Sequence, residues 1–524
     1  MALIPIDLHQ IVFDLLNFPS QNNYISISAY IRKYVHITNL CDIDDKYLYK
    51  LDNNIIIQEK FHTVSSLKIN NNKLTQLNHM PYLKILYCES THINQDYIKD
   101  LDLIELYASD IPCIRNVNHM KSLKILVATY DCGIDQEGIK DLNLIEFYAY
   151  KNSRITNVNY MKSLKILDAD INQNSIKDLN LIELTAGDNP YITNVNHMKN
   201  LKVLNAGGSC GIDQICICDT DLIELYVCDN SHIINVNHMR RLKILNAGGI
   251  SAIDQNGIRD LDLIELNARN NQKIINVNHM KKFKILDAGG ICGIGQIGIQ
   301  DLDLIELDAF DNQNINNVTH MKKLKILNAE SACAIDQNGI RDLNLIELNV
   351  CNNQKINNVN HMKNLKILYA RYICGIDDMS ISELDLIELY VDGNLKITNV
   401  NHMRNLKILD ARGICGIGDI SICDLDLEEL DATDNLKITN VNHMKKLKIL
   451  WAEDDCGIND VGICDLDLVE LYVDNNINIY NINHLKNLKI LHAGGNSSID
   501  HDCIKDLDLM DLYSIGNDKL MTHV

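Results

Sequence analysis

The stretch Asn-Val-Asn-His-Met, with Thr319 once replacing its second asparagine, returns every 41 residues and places histidines at 197, 238, 279, 320, 361, 402 and 443. A fixed period of this length means one supersecondary unit stacked on copies of itself, a solenoid in which each unit contacts only its neighbours. The pattern Leu-x-x-Leu occurs twice per period, as Leu242-Lys-Ile-Leu245 and Leu263-Ile-Glu-Leu266, so the structural unit is half the period, alternately 21 and 20 residues. Unit starts run from Val64 through 83, 103, 123, 144, 164 and 181 to 509, giving 23 units, with one short unit of 17 residues at 164. No Pro/Gly-rich linker interrupts them. Length in such a chain becomes surface rather than additional domains.

Places within a unit are numbered from the first leucine. From Glu265 onward, alternation sends Leu266 and Ala268 inward and Glu265, Asn267 and Arg269 outward, which predicts one short parallel strand per unit. Ile274, Val277 and Met280 return apolar groups to the same core at spacing three, suiting an irregular or 3₁₀-like return. In the alternate units Asp254 precedes Gln-Asn-Gly-Ile-Arg-Asp-Leu. An aspartate there accepts from the free amides that open a short helix. Asparagine holds the ninth place at 152, 189, 230, 271, 312, 353, 394, 435, 476 and 517. Such a ladder satisfies backbone groups that the bend after the strand leaves unpaired inside the stack.

The first unit reads Val64-x-x-Leu67-x-Ile69-x-x-Asn72-x-Leu74-x-x-Leu77-x-x-Met80-x-x-Leu83, which resembles the leucine-rich repeat family over about residues 64–517. The resemblance implies an α/β solenoid, a horseshoe with the parallel sheet on its concave face and short helices and turns on its convex face. Residues 518–524 form a tail. A fold of this kind does not name a function.

The net charge of −21 disfavours nucleic acid, whose affinity comes from phosphates neutralised by Lys and Arg. A neutral or basic protein partner is favoured instead. No apolar run reaches membrane-spanning length, and the opening Met-Ala-Leu-Ile-Pro-Ile-Asp lacks the pattern of a secretion signal, so a cytoplasmic, soluble monomer is expected. Seven of the 17 cysteines hold the tenth place of the Leu-Lys-Ile-Leu units: Cys132, Cys210, Cys292, Cys333, Cys374, Cys415 and Cys456. Recurring every second rung, they stand about 10 Å apart, too far for disulfides. The same spacing argues against a metal shared along the histidine column, which reads as structural. No phosphate-cradling glycine loop, Gly-x-Ser-x-Gly elbow or His-Glu-x-x-His is present, so neither catalysis nor a cofactor is expected.

Two outward columns carry the candidate binding chemistry. Glutamates at 105, 146, 183, 224, 265, 306, 347, 388, 429 and 470 stripe the third place of alternate units. They read either as an acidic trough for basic partners or as charges partly neutralised by second-place lysines such as Lys243 and Lys407 on the intervening rungs. The fifth place changes identity along the array, from Tyr87, Tyr107, Val127 and Tyr148 through Asp168, Thr185, Asn205 and Tyr226 to a run of Asn and Asp ending at Asn349, then to Tyr369, Tyr390, Trp451, Tyr472, His492 and Tyr513, with Asp410 and Asp431 between. Aromatics and arginine dominate interface energetics, and Arg371 and Arg412 lie at the seventh place of the same stretch. Tyr369, Arg371, Tyr390, Arg412, Trp451 and Tyr472 therefore form the candidate partner site, set against the ordinary preference of strands for aromatic residues.

Ahead of the repeats, Pro5 and Asp7 suit a helix start, and Leu8, Ile11, Val12, Leu15 and Leu16 recur at spacings of three and four. This segment, residues 1–40, resembles an F-box, whose opening is Leu-Pro-x-Asp/Glu followed by such a helix; residues 41–63 then form a connector. It lacks the tryptophan often found late in that motif. The resemblance implies that Ile4, Pro5, Leu8, Ile11 and Leu15 dock on a Skp1-type adaptor while the repeats hold a substrate for ubiquitin transfer. The Asn/Ile/Asp-rich repeats also resemble proteins of giant DNA viruses of amoebae, which implies host-protein targeting. The other open reading is a stand-alone binding scaffold, with residues 1–62 only capping the first rung.

Overall fold

In the computed structural model the described residues are 64–69, 77, 80–89, 91 and 93–521, together with the backbone of Asn39–Leu40. They fall into two compact units divided after Leu242. Each is a stack of three- or four-residue parallel strands, apart from the two-residue strand Asn39–Leu40.

The first unit runs from Asn39–Leu40, which pairs with Ser66–Lys68, to Glu224–Tyr226. Its opening strand lies ahead of the first repeat recognisable in the sequence. The second unit runs from Ile244–Asn246 to Asp511–Tyr513. Register is unslipped from rung to rung: Ile244, Leu245 and Asn246 lie beside Glu265, Leu266 and Asn267, which lie in turn beside Ile285, Leu286 and Asp287. Identical inward leucines fix this register, since a slip of one residue would turn every leucine to solvent.

The core follows the expected alternation. Leu266, Ala268, Ile274, Val277 and Met280 are buried, and their equivalents repeat along both stacks. The return side alternates as expected: short helices such as Gln255–Ile258, Gln296–Ile299 and Asp419–Ile422 occur in the Leu-Lys-Ile-Leu rungs, and turns occur in the others. Asp254 caps its helix, accepting from Gly257 N at 2.9 Å. The helices approach the preceding rung so closely that a Cβ on Gly298 would sit 2.3 Å from the Ile275 carbonyl oxygen. Where serine replaces that glycine, its hydroxyl turns the approach into a bond, as Ser380 Oγ does to Asn357 O at 2.6 Å.

The asparagine ladder is the main polar element of the interior. Asn271 Nδ2 donates to Ala247 O and Ile253 O at 2.7 and 3.1 Å, and its Oδ1 accepts from Lys273 N at 2.8 Å. The same set recurs at Asn312, Asn353, Asn394 and Asn435. The short rung at 164 alters it. There Ala169 O is occupied by Ile171 N, and Asn189 Nδ2 donates to Ile171 O.

The histidine column is a second ladder. His279 Nε2 meets Ile258 O at 3.2 Å and His443 Nε2 meets Ile422 O at 3.0 Å, each tying a turn to the helix of the preceding rung. Tyr160 takes the place once, and its hydroxyl donates to Ile139 O at 2.9 Å. The substitution keeps the bond. The tenth-place cysteines are buried, and burial pushes the Cys292 thiol up to about 11.

Candidate binding face

The fifth place lies at or beside the end of each strand, half-buried in most rungs, with Asp410 buried and Tyr513 exposed, and its side chains stand one rung apart in register. Their bonding there depends on residue type. Asn and Asp bend back on their own backbone: Asn267 Oδ1 accepts from Arg269 N at 3.0 Å, Asp308 Oδ1 from Phe310 N at 2.8 Å and Asn349 Oδ1 from Cys351 N at 3.0 Å. This closes the turn after the strand with a local bond. Aromatic residues on adjacent rungs instead stack on one another. Tyr369 and Tyr390 lie 4.5 Å apart at 10°, and Trp451 and Tyr472 lie 4.9 Å apart at 14°. His492 continues the second stack at 4.6 Å from Tyr472 and 5.1 Å from Tyr513. In the first unit Tyr87 and Tyr107 stack at 4.2 Å.

Tyrosines on the glutamate rungs are anchored to the stripe two residues back. Tyr390 donates to Glu388 Oε2 and Tyr472 to Glu470 Oε2, each at 2.9 Å; Tyr107, Tyr148 and Tyr226 do the same in the first unit. Burial, then the bond to Glu470, raises the Tyr472 phenol to about 12.

The second-place lysines do not meet this stripe as the sequence suggested. Lys407 pairs with Glu428 at 2.8 Å, Lys448 with Asp467 at 3.6 Å and Lys489 with Asp508 at 3.1 Å, all beside the start of the strands. Third-place isoleucines, which the sequence pattern did not single out, separate the glutamates instead, as Ile408 lies between Glu388 and Glu429. Burial, then Glu388 and Glu470, raise the Glu429 carboxyl above its ordinary range.

The candidate arginines also differ from expectation, because both are engaged within the chain. Arg371 Nη2 binds Asp410 Oδ2 at 2.8 Å, with its guanidinium 5.1 Å from the Tyr390 ring centre. Arg412 Nε binds Asp410 Oδ1 at 3.0 Å and Asp431 Oδ2 at 3.3 Å. Asp410 is 5 % exposed, so these pairs compensate a buried charge between the two aromatic stacks. The structure thus brings Tyr369, Arg371 and Tyr390 together, places Trp451 against Tyr472, and joins Arg412 to the first group through Asp410. Ile4, Pro5, Leu8, Ile11 and Leu15 lie outside the described residues.

One further column went unread in the sequence. Gln255 at the fourteenth place accepts from Ile275 N and Asn276 N through Oε1 and donates to Asn276 O through Nε2. In the aromatic stretch Asp378, Asp419 and Asp460 replace it, and Asp378 and Asp419 gain hydroxyl partners in Thr398 and Thr439. The signal was there as a Gln-to-Asp change in step with the fifth place.

Rung length, register and the paired ladders define a leucine-rich-repeat-type parallel β-solenoid. No family model matches the chain, and no curated relative matches it. Solved structures similar to it in fold include a TLR13–ssRNA13 complex, at 15% identity over 90% of this chain and 76% of that one, TM-score 0.47. The mouse RP105/MD-1 complex matches at 11% identity over 82% of each chain, TM-score 0.40. The Rad7 and Elc1 complex of yeast matches at 12% identity over 69% of this chain and 92% of that one, TM-score 0.28. Among the described residues no helix is long and apolar enough to cross a membrane.

Proposed function

We propose that the chain is a non-enzymatic protein-binding solenoid whose partner docks on the strand face around Tyr369, Tyr390, Trp451 and Tyr472. One observation carries this reading: the fifth place turns from self-bonded Asn and Asp to stacked aromatics while the core and both ladders beneath it stay unchanged. A repeat needs uniform residues where it packs, so a change at an outward place above an unchanged core is free of that demand. The finer form of the proposal is an F-box-type substrate receptor, in which Ile4, Pro5, Leu8, Ile11 and Leu15 dock on a Skp1-type adaptor of a cullin ubiquitin ligase and the strand face presents a target, a host protein if the chain is viral. It rests on the N-terminal resemblance; a stand-alone cytoplasmic scaffold is the alternative.

Two experiments separate these levels. Co-expressed with the adaptor, the chain is expected to co-elute on gel filtration and to lose co-elution with Leu8→Asp plus Ile11→Asp in a still-folded protein. Failure to co-elute leaves the scaffold reading. For a captured partner, Trp451→Ala and Tyr390→Ala should each cost about 2 kcal/mol or more of affinity, with the Asn267→Ala control unchanged. Unchanged affinity in both aromatic variants would move the site, with Tyr87, Tyr107 and Tyr148 tested next.

A further inference from the structure

The rungs that carry the aromatics also change at the turn after the strand. At the tenth place of the glutamate rungs, Gln272, Gln313 and Gln354 give way to Leu395, Leu436 and Ile477. On the intervening rungs Ile373 and Ile414 hold the adjoining ninth place, as Ile250 and Ile291 do earlier in the array, so the tenth-place change is what joins them into a row. All five members of the row are between 60 % and 71 % exposed. In a chain whose core columns are filled rung by rung, these aliphatic groups have no inward role. Their run through successive rungs, broken only at Asp455, makes an apolar row along the edge of the sheet.

Between that row and the aromatic column lie the seventh and eighth places, and here the stretch is acidic: Asp392, Asp434, Glu453, Asp454 and Asp474. The nearby arginines are spent on Asp410 and Asp431, and among the described residues no ion pair reaches Glu453. Burial and the crowding of Asp474, Asp431 and Asp454 push its carboxyl up to about 7. Cationic groups brought from outside would relieve that crowding.

The dimensions narrow the choice of partner. Four or five residues separate the aromatic column from the aliphatic row, a path of about 15 Å that bends at the eighth place. The bend brings the span toward the roughly 10–12 Å diameter of a helix with its side chains. Rings recur every 4.5 to 5.1 Å within the stacks, close to the 5.4 Å pitch of an α-helix. A helix laid along the stack therefore offers about one side chain per rung to each row.

Resting on the strand-face reading above, we propose that the site extends over the turn edge to Ile373, Leu395, Ile414, Leu436 and Ile477, and that its occupant is a basic amphipathic helix of a partner protein. Its lysines or arginines lie along the acidic band, and its apolar face meets the aliphatic row and the aromatic ring edges. Six rungs, from Tyr369 to Tyr472, span about 24 Å, the length of a helix of about 16 residues.

Trp451 is the only tryptophan of the chain and lies in the proposed site, so its emission reports binding directly. The full chain is titrated with a fluorophore-labelled amphipathic helical peptide of leucine and lysine, following Trp451 emission and peptide anisotropy together. Expected are saturable binding that weakens as salt rises, and at least tenfold weaker binding for the same residues in shuffled order. Leu395→Asp with Leu436→Asp, and Glu453→Gln with Asp474→Asn, are each expected to weaken binding at least tenfold, with circular dichroism unchanged. Equal binding of the shuffled peptide would mean general charge attraction and overturn the proposal, as would no saturable binding. If binding falls with Tyr390→Ala but not with Leu395→Asp plus Leu436→Asp, the strand-face reading stands and its extension falls; if it responds to neither, both fall. A chain that elutes as a dimer and becomes monomeric on Leu395→Asp plus Leu436→Asp would assign the edge to a second copy and also overturn the proposal.

Discussion

Within the second unit, the rungs from Asn246 to Asn349 and those from Tyr369 to Tyr513 share one core, one asparagine ladder and one histidine ladder. They differ in what the strand does with its last outward side chain. In the first stretch that side chain closes its own turn, as Asp287 Oδ1 accepts from Gly289 N at 2.9 Å. In the second most of these places carry rings that stack on the neighbouring rung, while Asp410 and Asp431 still close their own turns and are bound by arginine as well. One stretch spends the position on local backbone; the other gives it mainly to ring contacts between rungs. Stability and recognition are thus assigned to separate columns of the same repeat, and each can be disturbed with little effect on the other.

The largest effect should be common to both stretches. Asn435→Ala removes a buried amide that donates to Ala411 O and Ile417 O and accepts from Lys437 N. Leaving such groups unpaired should cost about 3 kcal/mol in urea denaturation, with a similar loss for Asn353→Ala. Unequal losses would mean that the ladder does not serve both stretches alike.

Next should come a difference between them. Arg412→Ala leaves the buried Asp410 with Arg371 as its one remaining cation and removes the cation beside Asp431, at a cost of about 2 kcal/mol. Arg269, whose nearest carboxylate contact is 3.5 Å to Asp308 with both groups partly exposed, should cost under about 1 kcal/mol on replacement by alanine. Equal costs would erase the distinction drawn at Asp410.

The smallest effect concerns pH. The Glu453 carboxyl is raised to about 7, so its ionisation opposes folding: the stability it allows is present below its ordinary pKa near 4.5 and is lost as pH rises toward 7. Glu453→Gln should therefore flatten part of the fall in melting temperature between pH 5 and pH 7.5. Asp287→Asn in the other stretch, where the shift is also upward, provides the matching measurement. An unchanged pH profile in the Glu453 variant would mean that the carboxylates around it are not crowded.

Much of the fold was legible because repetition converts a pattern into a column. The strand alternation around Leu266, the cap at Asp254 and the ladder at Asn271 each rest on bonds within one rung or to its neighbour, and their residue types state the need. The site was only partly legible. The change at the fifth place showed in the sequence, but the use of Arg371 and Arg412 did not, because Arg371 reaches Asp410 across 39 residues of chain. The glutamate stripe hid the isoleucines between its members, since the two kinds of rung carry different sequence patterns and meet only in the sheet. The role of Gln255 was hidden for a similar reason: its bonds lie with the next rung.

Whether the aromatic fifth place serves recognition and not the fold is decided by converting one stretch into the other. Tyr390→Asn, Trp451→Asn and Tyr472→Asn combined supply the residue that closes its own turn elsewhere, at the loss of three ring pairs, Tyr369–Tyr390, Trp451–Tyr472 and Tyr472–His492, worth about 1 kcal/mol each. Urea denaturation of the triple variant should give a stability within about 3 kcal/mol of the parent, with one cooperative transition. A loss of about 5 kcal/mol or more, or a transition broken into two, would show instead that the rings hold the solenoid together.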